Sequence, residues 1–313
     1  MSRPLPGMVD FVLLGALAAM WGGSFMLIKL AIDEVPPASI ALIRLALASL
    51  ILFVVAKAYG EKITIRFNAV VYIFLTGLFG NAIPFTLIAW GEKTVDASLA
   101  SVLMGIMPIA TLILAHFLTD DERLTARKLV GVFVGFAGLV VLVGPAVLFR
   151  LGDDGIRQLA ILAAALSYAV NAVLTKKLLG LPHRAAAAWV LFAGALVMAP
   201  VAYTADYPLA ATPGSLAITA VCLLGIFPTA IATLAMFEVL HRQGAFFFGQ
   251  VNFLVPISGV IWAALVLNEQ PGLAAYLALA FILTGIGIAR GGRSVGRARL
   301  AAAGAGEEGQ LRR

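Results

Sequence analysis

Two stretches of this 313-residue chain carry polar side chains at the same spacing. In each, an amphipathic aromatic residue is followed three positions later by a polar residue and eight positions later by a lysine; the aromatics are Trp21 and Tyr168. Residues separated by three, four and seven positions share one face of a helix. Ser24 therefore shares a face with Trp21, and Asn171 and Thr175 share a face with Tyr168. Such side chains can hydrogen-bond a small solute in a cavity, or they can join two apolar helices.

The composition indicates whether these helices lie in water or in a membrane. The chain is 62% hydrophobic and only 12% charged, whereas soluble proteins carry roughly a quarter charged residues. This composition predicts a membrane protein. The lone Cys222 excludes an intramolecular disulfide, and the sequence shows no metal-ligand cluster, so we expect no metal and no cofactor. The basic residues lie between apolar runs and in the tail, which indicates membrane topology and no nucleic-acid partner.

Ten apolar runs can each supply the roughly 20 residues that a spanning helix needs. The predicted fold class is therefore an all-α membrane protein with ten transmembrane helices. The run from 207 to 237 is too long for one helix, and its prolines and Gly214 predict that the helix begins near Ser215. The runs are Phe11–Ile28, Val35–Ala56, Phe67–Gly91, Ala97–Thr119, Leu129–Phe149, Gln158–Thr175, Ala185–Ala205, Tyr207–Phe237, Gly244–Asn268 and Pro271–Ala289.

The distribution of Lys and Arg predicts the orientation. With the N-terminus in the cytoplasm, 17 of the 22 basic residues fall on the cytoplasmic side and three on the outer side, and Lys29 and Arg44 lie within helices. Cytoplasmic loops are rich in Lys and Arg, so both termini are predicted to be cytoplasmic. The tail, 291–313, is rich in Gly, Ala and Arg and is predicted to be disordered.

The two halves of the chain repeat one another beyond the opening motif. Glu92 corresponds to Glu238 and Gly138 to Gly285, and a helix with a central proline recurs in each half. Five helices per half is an odd number, so the second copy must enter the membrane from the opposite side. The sequence thus predicts two inverted-topology five-helix repeats, 8–149 and 156–290, with a substrate site between them near the middle of the membrane.

Arg44 and Gln250 are two further candidates for a binding site. Arg44 is the only charged residue well inside an apolar run, roughly 10 Å from its predicted outer end. A charge at this depth needs a partner or water. It either pairs with a substrate carboxylate or extends outward to Asp33, Glu34 or Glu92. Gln250 precedes a proline, and its amide is difficult to satisfy within its own helix.

Several residues are candidates for gates or hinges. Lys29 and Lys176 lie near opposite mouths of the predicted carrier, and Glu92 and Glu238 also lie near helix ends; each either anchors a helix at the interface or gates an entrance. A proline removes a backbone hydrogen bond and bends a helix, either as a hinge or for packing. The prolines within predicted helices three, four, eight and nine are Pro84, Pro108, Pro228 and Pro256.

These residues resemble the drug/metabolite transporter superfamily, specifically its EamA-type ten-helix members. Trp21–Phe25 is similar to the tryptophan and small-residue motif of the first helix, and Val35–Arg44 to the proline-to-arginine pattern of the second. Asp121–Leu124 and Leu267–Gln270 are similar to the acidic endings that follow helices four and nine. The resemblance covers residues 8 to 290. The second half departs from it, since Tyr168 replaces tryptophan and no arginine follows in helix seven.

The resemblance implies a multi-pass carrier of the cell inner membrane rather than an enzyme, with a small-molecule substrate and the lipid bilayer as partners. Such carriers often export amino acids, and the polar and aromatic groups suit apolar or aromatic ones, moved by alternating access. The alternatives are a carrier for another small metabolite or drug-like compound, or a membrane protein that transports nothing. No carboxylate lies at the centre of a run, so no proton relay is evident. The predicted substrate-binding residues are Trp21, Ser24, Arg44, Tyr168, Asn171, Thr175 and Gln250.

Overall fold

The computed structural model describes residues 6–62, 67–95, 100, 103–104, 106–118, 125–143, 154–178, 180–206, 212–243, 245–251 and scattered positions from 254 to 288. Every regular element in these residues is helical. Two π-helical segments, π1 (Leu78–Ala82) and π2 (Ile226–Ile231), join α3 to α4 and α9 to α10. The α-helices are α1 (Met8–Ala31), α2 (Pro37–Ala58), α3 (Phe67–Gly77), α4 (Ile83–Gly91), α5 (Met107–Leu118), α6 (Ala126–Val143), α7 (Gly155–Thr175), α8 (His183–Asp206), α9 (Ser215–Gly225), α10 (Ala232–Gln243) and α11 (Ala245–Phe248).

Six of the described helices, counting those joined by a π segment as one, are long and apolar enough to cross a membrane. The class of an all-helical membrane protein is therefore confirmed. The six correspond to predicted helices one, two, three, six, seven and eight, and α9 begins at Ser215, as its flanking prolines and glycine predict. Much of predicted helices nine and ten lies outside the described residues. The six helices are Met8–Ala31, Pro37–Ala58, Ala69–Gly91, Gly155–Thr175, His183–Asp206 and Ser215–Leu240.

The helix ends follow local sequence rules. α2 begins at Pro37, and proline is favoured at a first helical position because its φ is already helical and it has no N–H to leave unpaired. It ends before Gly60, whose φ of 68° is the left-handed conformation that glycine adopts without a Cβ clash. At the start of α1, the Asp10 carboxylate accepts a hydrogen bond from the Gly7 N–H at 2.8 Å, which satisfies an otherwise unpaired donor.

The most extensive contact between helices joins α2 to α8. Small residues such as Ala41, Ala48 and Ala188 are fully buried along it, and the leucines at 45 and 191 fill the space between the helices. Small side chains let membrane helices approach closely, so that dispersion contacts replace the hydrophobic driving force that lipid does not supply. α1 packs against α9 and α10, and α4 packs against α7. Each of these contacts joins a helix before residue 150 to a helix after it.

The two π segments lie at corresponding places in the third and sixth spans. Pro84 lies two residues after the end of π1 and Pro228 lies within π2, and the missing proline N–H interrupts the regular ladder at each place. A polar side chain in each segment donates to the carbonyl five residues earlier: Asn81 Nδ2 to Thr76 O at 3.5 Å, and Thr229 Oγ1 to Leu224 O at 2.7 Å. Single-turn π bulges of this kind are frequent at functional sites.

Candidate functional site

The helices that open the two halves, α1 and α7, each donate a side-chain hydrogen bond to a π segment of the other half. Trp21 Nε1 donates to the carbonyl of Pro228 in π2 at 3.0 Å. Ser167 Oγ donates to the carbonyl of Phe79 in π1 at 2.7 Å. Each bond satisfies a carbonyl in a π segment, so the broken helices are held by side chains from across the molecule.

Sequence reasoning missed Ser167, which directly precedes Tyr168. Its position in the repeat corresponds to Met20 in the first half, so comparison of the two halves gives no signal there. The one available signal is a second polar residue beside an aromatic in an apolar helix.

The other polar residues of the two faces make local contacts. Ser24 is buried, and its Oγ donates to the carbonyl of Trp21 at 2.6 Å. Thr175 Oγ1 donates to the carbonyl of Asn171 at 2.9 Å and lies 3.3 Å from its Oδ1. The Asn171 side chain lies directly against π1, since a Cβ added to Gly80 would meet it at 2.5 Å. The polar face of α7 is therefore turned towards the broken third span.

Arg44 lies inside the helix bundle, and its side chain contacts both of the spans that contain a π segment. It is 5% exposed. Its Nε donates to Thr229 Oγ1 in π2 at 2.6 Å, and its guanidinium carbon lies 3.7 Å from the centre of the Phe85 ring on α4. The Tyr168 phenol interacts with it electrostatically. Of the three acids named as possible partners for Arg44, Glu34 instead accepts a hydrogen bond from the Gly214 N–H at 2.5 Å.

Gln250 is 6% exposed, and its Nε2 has no hydrogen-bond partner among the described residues. The neighbouring Phe248 and Val251 belong to the same apolar cluster as Trp21, and the rings of Trp21 and Phe248 meet edge to face at 5.8 Å. An unsatisfied buried amide is costly, so this donor is available to a polar group. The structure thus brings Gln250 and Trp21 to one region.

The residues predicted near helix ends differ in their surroundings. Lys29 Nζ donates to the backbone carbonyls of Glu92 and Val95, which ties the end of α1 to the turn after α4. Glu92 is completely buried, in contrast to the interfacial position expected for it. Glu238 is 44% exposed in its side chain and lies 3.7 Å from Arg242.

Two bonds join the start of α1 to the end of α10. Arg242 Nε pairs with the buried Asp10 carboxylate at 2.5 Å, and Gln243 donates to the same carboxylate at 2.9 Å. The hydrogen bond that Arg242 donates to Asp10, together with electrostatic attraction to the same carboxylate, raises the pKa of Arg242. Charge pairing therefore joins the two halves at this end of the molecule.

The predicted hinge residues are only partly described. Pro84 and Pro228 mark the π segments. Pro108 is the second residue of α5, a position in the first helical turn that proline tolerates, and a turn at Ile106 precedes it. Lys176 opens a short 3-10 turn after α7, but its side chain lies outside the description, as does Pro256.

In the described part of the chain, these polar groups coincide with neither a metal site nor the apolar groove that lies at the bundle surface. Among the described residues, no group of three or more His, Cys, Asp or Glu side chains could hold a metal ion. An open, apolar groove of about 390 Å³ lies between α2, α8 and α9. It is lined by none of the seven predicted binding residues, and its rim includes Tyr203 and Ile218, which are exposed on the outside of the bundle. Such a groove faces lipid.

The fold and the buried polar groups define a multi-pass helical membrane protein with a cation held between broken helices. The chain belongs to the EamA-like transporter family, whose model matches residues 10–144 and again residues 156–290. The resemblance read from the sequence is therefore confirmed. The protein is a transporter rather than an enzyme.

Several relatives cover nearly the whole chain. The "Uncharacterized transporter YoaV" of Bacillus subtilis is 25% identical over 88% of this chain and 95% of its own length. The "Probable terminal-alkyne amino-acid exporter" of Streptantibioticus cattleyicolor is 29% identical over 89% and 92%. The "Probable amino-acid metabolite efflux pump" of Escherichia coli is 25% identical over 88% and 93%. A crystal structure of a protein 20% identical superposes with a TM-score of 0.73 over 90% of this chain and 97% of the other, which shows a shared fold.

Proposed function

We propose that this protein is a secondary carrier that exports amino acids, including apolar and aromatic ones, across the cytoplasmic membrane by alternating access. In this proposal ten helices form two inverted five-helix repeats, 8–149 and 156–290, and both termini are cytoplasmic. The two matches of the family model and the matched π segments support the repeat. The printed names of two relatives support amino acids as the substrate class.

The observation that carries the proposal is the environment of Arg44. The guanidinium is buried among membrane helices, and its described direct contacts are a threonine hydroxyl and an aromatic ring. Glu92 acts on it electrostatically but forms no ion pair with it. A cation at such depth is costly unless an anion balances it. The carboxylate of an amino acid supplies that charge and accepts two parallel hydrogen bonds from a guanidinium. We therefore assign the substrate carboxylate to Arg44.

The remaining predicted residues form the rest of the proposed cavity. Trp21 and Tyr168 provide aromatic walls for an apolar side chain, and Ser24, Asn171 and Gln250 provide polar groups for the ends of the substrate. Thr175 lies closer to the cytoplasmic side. Gln250 supports this assignment best, since its amide nitrogen is buried and unpaired among the described residues.

Alternating access requires two elements that change shape, and the π segments are suited to this. Each interrupts a spanning helix beside a proline, and each is held by hydrogen bonds from the opposite half: π1 by Ser167, and π2 by Trp21 and Arg44. Breaking these bonds lets one half rock against the other about the packed α2–α8 pair. We propose π1 and π2 as the paired hinges, with Pro84 and Pro228 as their fixed points and Pro108 and Pro256 as secondary bends. Lys29 and Lys176 gate opposite mouths.

A substrate screen in proteoliposomes tests the function. Vesicles containing the purified full-length chain and preloaded with unlabelled L-leucine or L-phenylalanine should take up the same labelled amino acid by counterflow, and protein-free vesicles should not. A sugar phosphate serves as the control solute, because a carrier for polyanions needs several deep cations. Uptake of the sugar phosphate without uptake of either amino acid would show that the substrate class is wrong.

The topology has a separate test. Reporter fusions placed after Arg313 and within residues 206–212 should give opposite signals, cytoplasmic for the first and external for the second. Matching signals would contradict the ten-helix arrangement.

A further inference from the structure

Glu92 is a buried acid whose carboxylate has no bonding partner in the described part of the chain. It follows the last residue of α4, and its backbone N–H donates to Ile88 O at 2.8 Å. The residue is 0% exposed, and neither carboxylate oxygen accepts a hydrogen bond from a described residue. A buried carboxylate without donors is among the costliest arrangements in a protein. Glu92 therefore calls for a donor that the described helices do not supply.

Two cations lie near Glu92, and each bonds to another group. Lys29 Nζ donates to the backbone carbonyls of Glu92 and Val95 rather than to the carboxylate. Arg44 Nε donates to Thr229, and its guanidinium lies over the Phe85 ring. Both cations interact electrostatically with the Glu92 carboxyl without forming an ion pair with it. Negative and positive charge are therefore close but separate, as two poles of one buried region.

The corresponding acid in the other half shows that burial here is not a requirement of the fold. Glu238 occupies the repeat position of Glu92, and its side chain is 44% exposed and lies 3.7 Å from Arg242. One copy of the position satisfies its acid at the surface with an arginine. The other copy places the acid in the interior, where Glu92 is 0% exposed.

We propose that Glu92 binds the ammonium group of the substrate, so that Glu92 and Arg44 are the two charged poles of a site for zwitterionic amino acids. This inference rests on the proposed function and adds the residue that would distinguish an amino acid from a simple carboxylate. An ammonium group offers three donors, which meets the two unpaired carboxylate oxygens. A zwitterion satisfies both poles without adding net charge to the membrane interior.

The test uses the full-length chain in proteoliposomes with labelled L-phenylalanine and L-leucine. Two unlabelled compounds are each tested as inhibitors of this uptake: the amino acid itself and the 2-hydroxy acid with the same side chain. The hydroxy acid keeps the carboxylate and lacks the ammonium group. For the wild type, the hydroxy acid should need about a tenfold higher concentration for equal inhibition, the effect of losing one charge-assisted contact. Glu92→Gln should bring the two inhibitory concentrations close together. Glu238→Gln is the matched control and should keep the wild-type preference.

A second competitor tests whether Arg44 binds the carboxylate while Glu92 binds the ammonium group. The amine that lacks the carboxylate should compete poorly against the wild type, and Arg44→Gln should remove that difference while leaving the preference over the hydroxy acid. Thermal unfolding of each variant in detergent confirms that it is folded. If Glu92→Gln does not reconstitute, the wild type alone decides, since equal inhibition by amino acid and hydroxy acid overturns the proposal.

The outcomes separate this inference from the proposed function. If the wild type moves both amino acids and Glu92→Gln keeps the full preference for them over the hydroxy acids, the ammonium assignment is wrong and the exporter proposal stands. If Glu92→Gln loses only its response to a pH gradient, Glu92 carries a proton and the assignment is again wrong. If the wild type moves neither amino acid, both proposals fail.

Discussion

The two halves of the molecule match in their backbone irregularities and differ in their charges. Both halves break the third helix with a π segment, and both brace that segment with a side chain from the opposite half. Among the described residues, the first half buries Arg44 and Glu92, whereas the second half keeps Glu238 at the surface. In the proposed mechanism, a symmetric pair of hinges would therefore move an asymmetric binding site.

The asymmetry has a physical reason. A rocking motion between inverted repeats needs equivalent bends in both halves, because each half must adopt the conformation that the other leaves. A small substrate has one carboxylate and one ammonium, so a two-fold symmetric set of charges would leave one of each unpaired. The charged residues are thus expected to diverge while the hinges stay alike.

The largest expected effect comes from Arg44. Arg44→Ala should lower amino-acid transport more than tenfold, because the substrate carboxylate loses its only deep cation. Lys29→Ala should have a smaller effect, since Lys29 bonds to backbone carbonyls. Initial counterflow rates at equal protein abundance measure both. Equal counterflow rates for Arg44→Ala and the wild type would show that Arg44 does not bind the substrate carboxylate.

The next largest expected effect is a loss of stability when alanine replaces either of the two equivalent glycines that precede the π segments, Gly77 and Gly225. A Cβ at Gly77 would lie 2.6 Å from the backbone oxygen of Val190, whereas a Cβ at Gly225 would meet the flexible end of Leu47 at 2.9 Å. Gly77→Ala should therefore destabilise the protein by about 1–3 kcal/mol, the usual cost of overpacking, and Gly225→Ala by less.

Thermal unfolding in detergent measures this difference. Gly15→Ala is the control, because a Cβ there meets nothing within 4 Å. Equal losses at Gly77 and Gly225 would show that the close approach of α3 and α8 is not selective.

Some features of the two halves can be predicted from the sequence, and others depend on tertiary packing. The spans with strong apolar runs and the start of α9 at Ser215 follow from composition, proline and glycine, because these act locally. The transporter family follows from the resemblance carried by motifs such as Trp21–Phe25. The burial of Glu92 does not follow, since it depends on how α4 ends against other helices, and a helix-end acid normally faces solvent. The bond from Ser167 to Phe79 also depends on tertiary packing between helices far apart in the chain.

The smallest expected effect concerns the two braces. Trp21→Phe removes the indole donor to Pro228, and Ser167→Ala removes the hydroxyl donor to Phe79. Hydrogen bonds between membrane helices contribute about 0.6 kcal/mol on average, so each change should lower stability by about that amount. If the hinges are equivalent, both variants should alter the transport rate in the same direction. Opposite changes in rate would indicate that only one π segment moves.

The proposed binding cavity is tested most directly by measuring whether water-soluble reagents reach its residues. In a Cys222→Ala background, Tyr168→Cys and Gln250→Cys should react with a small water-soluble thiol reagent, and the transported amino acid should slow the reaction. Leu166→Cys is the control, because Leu166 is 50% exposed on the outside of α7 and should face lipid. Labelling of the two cavity positions, with protection by substrate, is the predicted result. If neither position is labelled while Leu166→Cys behaves as expected, these residues only pack helices together and the binding site lies elsewhere.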